Sequence, residues 1–428
     1  MHDDHDDDIK GIWTRRAFLK SGGIALFSLG IGGNPLFINR AAINSKNDLL
    51  NQNKTLVTIF QRGAMDGLMA VPKLNDKYLM NARPRLYMNP SSKTDSVLDL
   101  DNGFGFHPSL MPLMDYWKEG SLAVVHGMGS PNKTRSHFDA QDFMESGTPG
   151  DKGTSSGWLN RAVGLMGHES PTPFQSVALT PSLPKSFYGE ESALAISDLD
   201  NFGLPSYINI GNIVGNTFES LYEDTTKEIL KDTADATFEA VDLLEKIRQK
   251  DYVATSKVSY PNSKLGNSLR QIAQLIKADV GLEAAFAEQG GWDTHVQQGT
   301  DQGSFADNLK DLSDSISAFW EDLGPYQDSV NLMTMTEFGR TVKENGTGGT
   351  DHGRGSCLFV LGQDVDGQKV HGHVPDLAQE NLEDGRDLPV TTDFRAIFSE
   401  VSGSTFGIRN DEELFPGWEG ERIKLFKS

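Results

Sequence analysis

Short apolar runs alternate with longer amphipathic segments along most of the chain, and this alternation limits the fold more than any other feature of the sequence. Residues 55–60 (TLVTIF) and 121–126 (SLAVVH) are apolar runs rich in β-branched side chains, which are typical of strands covered on both faces. Residues 331–336 and 357–361 have the same character. Buried strands that alternate with helices predict a three-layer α/β/α fold in which the central sheet is mainly parallel.

The intervening helices are predicted from apolar residues that recur on one face. The clearest case is the segment 305–323, whose apolar side chains form a single stripe. Shorter helices are expected over residues 110–119, 136–145 and 265–278. A charged helical stretch around residues 216–250 has the composition of a surface insertion, so we expect residues 46–428 to form one domain that carries this insertion.

The N-terminus carries a twin-arginine motif. Residues 14–20 read TRRAFLK, in which Arg15 and Arg16 precede an apolar stretch that glycines interrupt. That stretch is too short and too weakly apolar for a membrane span, which needs about 20 apolar residues. We therefore expect residues 1–45 to be a twin-arginine signal peptide and leader. The expected partner is the twin-arginine (Tat) translocase, the expected location is the periplasm or cell surface, and membrane contact is expected only through an uncleaved signal.

Charge and cysteine content argue against several classes of function. The chain has 428 residues and a formal net charge of −21, which argues against nucleic-acid binding because that depends on Lys and Arg neutralising phosphates. Cys357 is the single cysteine, so the sequence has no intrachain disulfide and no cysteine-based zinc site. Cys357 lies in an apolar run, and we interpret it as a buried strand thiol.

Residues suited to metal binding and catalysis follow the predicted strands. They are Asp66, Ser136 with His137, Asp293 with His295, Glu337, and Asp351 with His352. Because ligands bind at the carboxyl ends of strands in open α/β sheets, we expect the two Asp–His pairs to converge on one site. Histidine with carboxylate favours zinc or manganese, whereas carboxylates alone favour calcium or magnesium. The predicted cofactor is one or two divalent ions of zinc, manganese or calcium, which would hold a phosphate oxygen.

Several of these residues also have a purely structural interpretation, which the sequence leaves open. These interpretations are a turn residue for Asp66, a helix cap for Asp293 and for Ser136, one half of an ion pair with Arg340 for Glu337, and an ordinary loop histidine for His352.

Six motifs together resemble one known family. They occur in the order RGAMDGL, FHPSL with LMDYW, RSHFDAQDFMESG, GWDTH, TEFGRT and TDHGRG, between Arg62 and Gly355. In this combination the chain resembles a Tat-exported, sulfatase-like family known as domain of unknown function 1501, in the alkaline phosphatase superfamily. The resemblance covers nearly all of the chain after the predicted signal. It implies an alkaline phosphatase-like fold, a metal site at the strand ends, and hydrolysis or transfer of phosphate or sulfate esters.

The resemblance also implies roles for individual residues. Asp66 matches the metal ligand after the first strand, and Ser136 matches the nucleophile at a helix start. Two pairs match the paired metal ligands, namely Asp293 with His295 and Asp351 with His352. The sulfatase motif Cys/Ser-x-Pro-x-Arg is absent from the sequence, so an ordinary sulfatase is not expected. The spacing from Asp293 to His295 is tighter than the superfamily pattern, and Glu337 stands where an aspartate is more typical.

The function predicted from these residues is a metal-dependent hydrolase that acts outside the cytoplasm on phosphate-type esters, with sulfate esters as the second candidate class of substrate. Ser136 would attack the ester, the metal would stabilise the transferred group, and Arg135 or Arg354 would hold a non-reacting oxygen. The substrate would be a small-molecule or glycan ester. The alternative is an exported sulfatase-like protein with a degraded site, which serves in binding or surface assembly.

Replacing both Arg15 and Arg16 by Lys should hold the precursor in the cytoplasm, because the translocase reads the arginine pair. Immunoblots of cytoplasmic and periplasmic fractions measure the distribution. Lys10→Arg, which lies outside the motif, is the control and should be exported normally. Periplasmic accumulation of the double variant at the level of the unaltered chain would contradict the export prediction.

Overall fold

Most of the chain after the predicted signal is described by a computed structural model. It covers residues 54–88, 97–168, 172–199, 252, 254–255 and 258–427, and the backbone of residues 16–19 and 24–27. Arg15 and the predicted insertion around 216–250 lie outside the described residues, and only the backbone of Arg16 is described. Within the described part, no helix has both the length and the apolar character that crossing a membrane requires.

An eleven-stranded sheet lies at the centre of the fold. In chain order the strands are β1 Arg16–Leu19, β2 Ile24–Phe27, β3 Thr55–Gln61, β4 Leu98–Asp99, β5 Gly105–Phe106, β6 Leu122–Gly129, β7 Ser176–Ala178, β8 Ala193–Ile196, β9 Ala284–Gln289, β10 Val330–Met335, β11 Arg340–Glu344, β12 Thr350–His352, β13 Ser356–Leu361, β14 Val370–Gly372 and β15 Thr392–Asp393. The sheet order is β1-β2-β8-β7-β9-β3-β10-β13-β6-β14, and β15 also pairs with β6. The pairs β4–β5 and β11–β12 form two separate hairpins.

Helices cover both faces of this sheet. They are α1 Gly67–Ala70, α2 Lys77–Ala82, α3 Met114–Glu119, α4 His137–Ser146, α5 Trp158–Leu165, α6 Lys264–Lys277, α7 Ser304–Leu323, α8 Phe394–Phe406 and α9 Asp411–Leu414. Val57 and Ile59 of β3 pack into one apolar cluster together with side chains of α6 and α7. Leu56 and Phe60, which point to the opposite face, pack with side chains of α5 and α8. The predicted three-layer α/β/α architecture is confirmed.

The strand directions confirm a mainly parallel sheet, in which β2 near one edge and β13 near the predicted site run antiparallel to their neighbours. β3 is parallel to β9 and to β10, and β7 is parallel to β8 and to β9. β13 runs antiparallel to both of its neighbours, β10 and β6. The described residues 336–355 between β10 and β13 contain the hairpin β11–β12 and no helix, so the chain turns back beside β10 instead of crossing over.

β6 therefore runs in the same direction as β10, and the carboxyl ends of β3, β9, β10 and β6 share one edge of the sheet. The loops that leave this edge carry the predicted site residues Asp66, His137, Asp293 and Glu337. Asp351 and His352 occupy a different part of the fold from these four residues. They lie on β12 of the hairpin and not at the end of a strand of the main sheet.

The expected helices over 136–145, 265–278 and 305–323 are confirmed as α4, α6 and α7. The expected helix over 110–119 is wrong in its first half, where a 3₁₀ turn, Pro108–Leu113, precedes α3. Pro112 lies inside that turn and has no N–H for an α-helical hydrogen bond.

His126 is a fully buried histidine on β6 that makes the stability of the fold depend on pH. Its Nε2 lies 3.1 Å from the Val71 carbonyl oxygen, and its Nδ1 accepts the Gly127 N–H at 2.9 Å. Burial lowers the pKa of His126 to about 4. Since the pKa in the unfolded chain is about 6.5, the stability linked to neutral His126 is complete above pH 6.5 and is lost as pH falls towards 4.

Replacing His126 by Gln should remove this titration, while its amide N–H can still reach the Val71 carbonyl. The loss of unfolding free energy between pH 7 and pH 4.5 should then be smaller than in the unaltered chain by about 2–3 kcal/mol. Urea unfolding at both pH values measures it, with the exposed His373→Gln as control. An unchanged pH dependence in His126→Gln would show that this histidine is not the titrating group.

Candidate metal centre

Three imidazoles and one carboxylate meet above the edge of the sheet. Nε2 of His352 lies 2.9 Å from Nε2 of His137 and 2.9 Å from Nε2 of His295. Oδ1 of Asp293 lies 3.1 Å from Nε2 of both His352 and His295, and its Oδ2 lies 3.5 Å from Nε2 of His137. We call these four residues the histidine cluster. The structure thus brings both predicted Asp–His pairs to one place, together with the histidine at the start of α4.

The outer nitrogen of each imidazole is held by an acceptor. Nδ1 of His137 lies 2.7 Å from Oε1 of Glu337, and Nδ1 of His295 lies 3.1 Å from Oδ1 of Asp351. The third ring, His352, has its Nδ1 2.8 Å from the backbone oxygen of Arg135. Carbonyl oxygens and ionised carboxylates only accept hydrogen bonds, so each Nδ1 carries a hydrogen. Asp351, a predicted ligand, is placed here as the acceptor for His295.

The protonation of the outer nitrogens decides the character of the inner ones. A neutral imidazole with its hydrogen on Nδ1 has only a lone pair at Nε2. The lone pairs of His137 and His295 therefore each face that of His352, beside the negative carboxylate of Asp293. A cation at this point would satisfy the lone pairs and the carboxylate together. The hydrogen bond to Glu337 raises the pKa of His137, whereas burial lowers the pKa of His352.

The spacing of His137, Asp293 and His352 fits a single divalent ion, since one ligand atom from each lies within 4.8 Å of the others. Nitrogen and oxygen ligands about 2.0–2.2 Å from a tetrahedral ion lie about 3.4 Å from one another. Among His137, Asp293 and His352 the separations run from 2.9 Å for Nε2–Nε2 to 3.5 Å for Nε2–Oδ2 and bracket that value. Histidine ligands of metals almost always donate their other ring N–H to a carboxylate or a carbonyl, as all three do here. Imidazole nitrogens with one carboxylate suit zinc in particular.

Arg340 holds the Asp293 carboxylate in the cluster. Its buried guanidinium donates to Oδ1 of Asp293 at 2.6 Å and to Oγ1 of Thr350 at 3.2 Å. Burial opposes ionisation of Asp293, but the hydrogen bond and the charge of Arg340 outweigh it and lower the Asp293 pKa. The helix-cap interpretation of Asp293 is wrong, because the next described helix begins at Ser304. Sequence reasoning missed the role of Arg340 in the site, although it lies in the motif TEFGRT.

Glu337 is buried and does not pair with Arg340. Its Oε1 accepts hydrogen bonds from His137 at 2.7 Å, from the side-chain amide of Gln141 at 2.8 Å and from the Gly63 N–H at 2.9 Å. Burial opposes ionisation of Glu337, but the hydrogen bonds outweigh it and lower its pKa. The ion-pair interpretation is wrong, since Arg340 pairs with another carboxylate. Metal binding by Glu337 itself stays a prediction, and its contacts make it the acceptor for His137.

Asp66 forms a separate, buried ion pair. Its Oδ2 and Oδ1 accept hydrogen bonds from Arg83 at 2.8 Å and 3.1 Å, and both side chains are 1% exposed. Oδ1 also accepts the Met69 N–H at 3.2 Å, which caps α1. A ligand role for Asp66 stays a prediction, and these contacts agree with the structural alternative.

Ser136 is the exposed N-cap residue of α4, directly before His137. Its Oγ accepts the Asp139 N–H at 3.5 Å, which is the weak limit of a hydrogen bond. Ser136 therefore does cap α4 in the structure, and its role as the nucleophile stays a prediction.

The two arginines predicted to hold substrate are already engaged. The Arg135 guanidinium donates to the buried Asp387 at 2.5 Å, and Arg354, itself buried, donates to Glu383 at 3.3 Å. Arg135 serves the centre through its backbone, whose carbonyl oxygen accepts from His352. Substrate binding by either guanidinium stays a prediction that these ion pairs do not favour.

The histidine cluster opens to solvent beside two apolar side chains. The side chains of Asp293 and His295 are 44% and 38% exposed. Phe138, the residue after His137, is 88% exposed, and Val296, the residue after His295, is 61% exposed. Each apolar residue therefore follows a histidine of the cluster directly in the chain, with Cα atoms about 3.8 Å apart.

The purified protein should bind one equivalent of zinc, and His352→Ala should weaken binding by more than the roughly 10–100-fold typical of outer-shell changes. The reason is that Nε2 of His352 contacts both other imidazoles of the cluster. Isothermal titration measures affinity and stoichiometry, and bound zinc should also raise the melting temperature. The half-buried His371→Ala is the control. Equal zinc affinity in His352→Ala and the unaltered chain would exclude this cluster as the site.

Comparison with known proteins identifies a family that matches the sequence and several solved structures with distant similarity. The C-terminal periplasmic domain of EcEptC from Escherichia coli, solved in complex with Zn, shares 11% sequence identity at a TM-score of 0.34, over 74% of this chain and 74% of that one. A protein in the alkaline phosphatase superfamily from Vibrio parahaemolyticus shares 10% identity at a TM-score of 0.34, over 76% of this chain and 64% of that one. The PsFucS1 sulfatase from Pseudoalteromonas sp. shares 10% identity at a TM-score of 0.39, over 88% and 74% of the two chains. At these TM-scores the likenesses carry no argument about activity.

No curated protein matches the sequence. A family model described as protein of unknown function, DUF1501, matches residues 53–415. This span includes all six motifs and most of the chain, and it confirms the resemblance at the level of the family. The chain belongs to the DUF1501 family of proteins of unknown function.

Proposed function

We propose that this protein is an exported metal-dependent hydrolase of phosphate-type esters, with sulfate esters as the less favoured substrates. The observation that carries the proposal is the histidine cluster, in which three Nδ1–H groups are held by acceptors and three Nε2 atoms converge beside Asp293. The ligand types favour zinc first and manganese second. The set contains one carboxylate among three imidazoles, so calcium, which prefers oxygen ligands, is less suited.

A bound divalent ion would supply Lewis-acid activation of an ester oxygen and of a nearby hydroxyl. The chain itself supplies the groups around that point. Ser136 lies at the start of α4, where backbone N–H groups and the helix dipole favour an anion. Its hydroxyl is exposed and only weakly engaged as a cap, so it remains accessible to a substrate that approaches from solvent. We assign Ser136 as the nucleophile.

The exposed apolar residues that follow His137 and His295 in the chain suggest which esters to test. Phe138 and Val296 would contact the alcohol portion of an ester whose phosphate lies at the histidine cluster. Aryl esters present an apolar alcohol portion, and burial of apolar area favours binding by about 25 cal/mol per Å². The assay panel therefore includes aryl and alkyl esters of both phosphate and sulfate.

A second candidate function is favoured by one observation. Arg135 and Arg354 are both engaged in ion pairs, so the predicted residues offer no additional guanidinium to the transferred group. A protein that holds a metal without turnover, and uses this face for binding or surface assembly, accounts for that arrangement. Export by the twin-arginine translocase to the periplasm or cell surface belongs to both candidates.

Replacing Ser136 by Ala should abolish ester hydrolysis while the protein stays folded and loaded with metal, because Ala has no hydroxyl to attack the ester. Initial rates on the ester panel, melting temperature and metal content are measured together. Ser263→Ala is the matched control, since Ser263 caps α6 through its Oγ and lies far along the chain from the cluster. Each cap loss should cost about 1 kcal/mol of stability, and only Ser136→Ala should cost activity.

Hydrolysis that survives in Ser136→Ala would remove this serine as the nucleophile. A metal-loaded protein that hydrolyses none of the esters would instead favour the binding or assembly function.

A further inference from the structure

The buried ion pair of Asp66 and Arg83 is connected to the histidine cluster by one side chain, Gln298. Oδ2 of Asp66 accepts a hydrogen bond from Nε2 of Gln298 at 2.9 Å, in addition to its bond from Arg83. Gln298 is fully buried. Because an ionised carboxylate only accepts hydrogen bonds, Asp66 fixes the amide of Gln298 with its nitrogen towards the ion pair and its oxygen away from it.

The oxygen of Gln298 joins the two segments that carry the cluster. Oε1 accepts hydrogen bonds from Oγ1 of Thr294 at 2.9 Å and from Oγ1 of Thr350 at 2.8 Å. Thr294 lies between Asp293 and His295, and Thr350 begins β12, two residues before the third ligand of the cluster. The backbones of the two threonines are also linked, since the Thr350 N–H donates to the Thr294 oxygen at 3.2 Å.

We propose that Asp66 and Gln298 are positioning residues for the metal centre: the carboxylate fixes the glutamine amide, and the amide oxygen aligns the segments 293–295 and 350–352. This inference rests on the metal site that the proposed function uses, and it gives Asp66 a role without direct contact to the ion. A centre whose ligands are aligned before the metal arrives binds it more tightly, because fewer side chains lose conformational freedom on binding.

Asp66→Asn tests the orientation directly. The amide nitrogen introduced at position 66 can occupy the position of either oxygen of the original carboxylate, Oδ1 or Oδ2. At Oδ1 it would face two donors, Arg83 and the Met69 N–H. At Oδ2 it faces Arg83 alone once the Gln298 amide has turned over, so we expect that arrangement. The turned amide then offers N–H groups to threonine hydroxyls that had been donating to its oxygen.

Zinc affinity of Asp66→Asn should fall by about 10–100-fold, the range typical of outer-shell changes at metal sites. The double variant Asp66→Asn with Gln298→Glu should recover most of this loss. In it, the new amide at position 66 would donate to the new carboxylate at position 298, whose other oxygen would again accept from Thr294 and Thr350. Gln298→Glu alone would set two carboxylates against each other and should bind zinc weakly.

Asp322→Asn is the matched control for the loss of a buried carboxylate. Asp322 is buried and its Oδ1 lies 2.5 Å from the Lys277 ammonium, outside the metal centre. Asp322→Asn should lower the melting temperature and leave zinc affinity unchanged. Isothermal titration or competition with a chelator measures zinc affinity, and thermal unfolding of the metal-free proteins measures stability. If Asp66→Asn fails to fold, the comparison of Gln298→Met with the unaltered chain takes its place, with the same expected loss.

Recovery of zinc affinity in the double variant is the expected result, because a merely structural role of Asp66 would not be restored by changing Gln298. Unchanged zinc affinity in folded Asp66→Asn, or in Gln298→Met, would overturn the positioning role and leave the metal site intact. Zinc binding without ester hydrolysis in the unaltered chain would overturn the proposed function and leave the positioning role intact. Absence of zinc binding in the unaltered chain would overturn both.

Discussion

Three imidazole N–H groups and the acceptors that hold them decide which atoms the candidate metal centre presents. The acceptors are chemically different: a buried carboxylate for His137, an exposed carboxylate for His295 and a backbone carbonyl for His352. Each has the same effect, which is to leave a lone pair on the inner nitrogen. Lone pairs that converge beside the Asp293 carboxylate repel one another in the absence of a cation or extra protons. The rest of the centre, including Arg340 and Glu337, stabilises this arrangement.

The sheet makes the arrangement possible because it brings separate loops close together. At Gly63, whose φ is +118°, an added Cβ would lie 2.6 Å from the Asp293 nitrogen. At Gly349 an added Cβ would lie 2.3 Å from the Thr294 carbonyl oxygen. Real Cβ atoms do not approach backbone atoms so closely, so glycine is required where the loop after β3 and the hairpin β11–β12 pack on the segment after β9. The close packing of these backbones holds the segments that carry the candidate ligands next to one another.

Much of the layer order, and the convergence of the two Asp–His pairs, could be predicted from the sequence, because apolar runs indicate burial and polar residues after strands indicate the ligand-binding edge. The direction of β13 could not be predicted, because a buried parallel strand and a buried antiparallel strand have the same apolar pattern in the sequence. The sequence also could not predict which charged residues form ion pairs with one another. Arg340 follows Glu337 by three positions, yet it pairs with Asp293. Asp66 shows the same limit, because an Asp–Gly after a strand suits a ligand and a turn residue equally well, whereas in the structure it caps α1 and pairs with Arg83.

X-ray absorption spectroscopy and anomalous diffraction at the zinc edge, on protein loaded with one equivalent of zinc, test the centre most directly. We expect one ion with imidazole nitrogens from His137, His295 and His352 and an oxygen from Asp293, at about 2.0–2.2 Å. We also expect Glu337 and Asp66 to stay in their present hydrogen bonds and not bind the ion. An ion ligated by Asp66, or zinc found only away from the histidine cluster, would contradict this assignment.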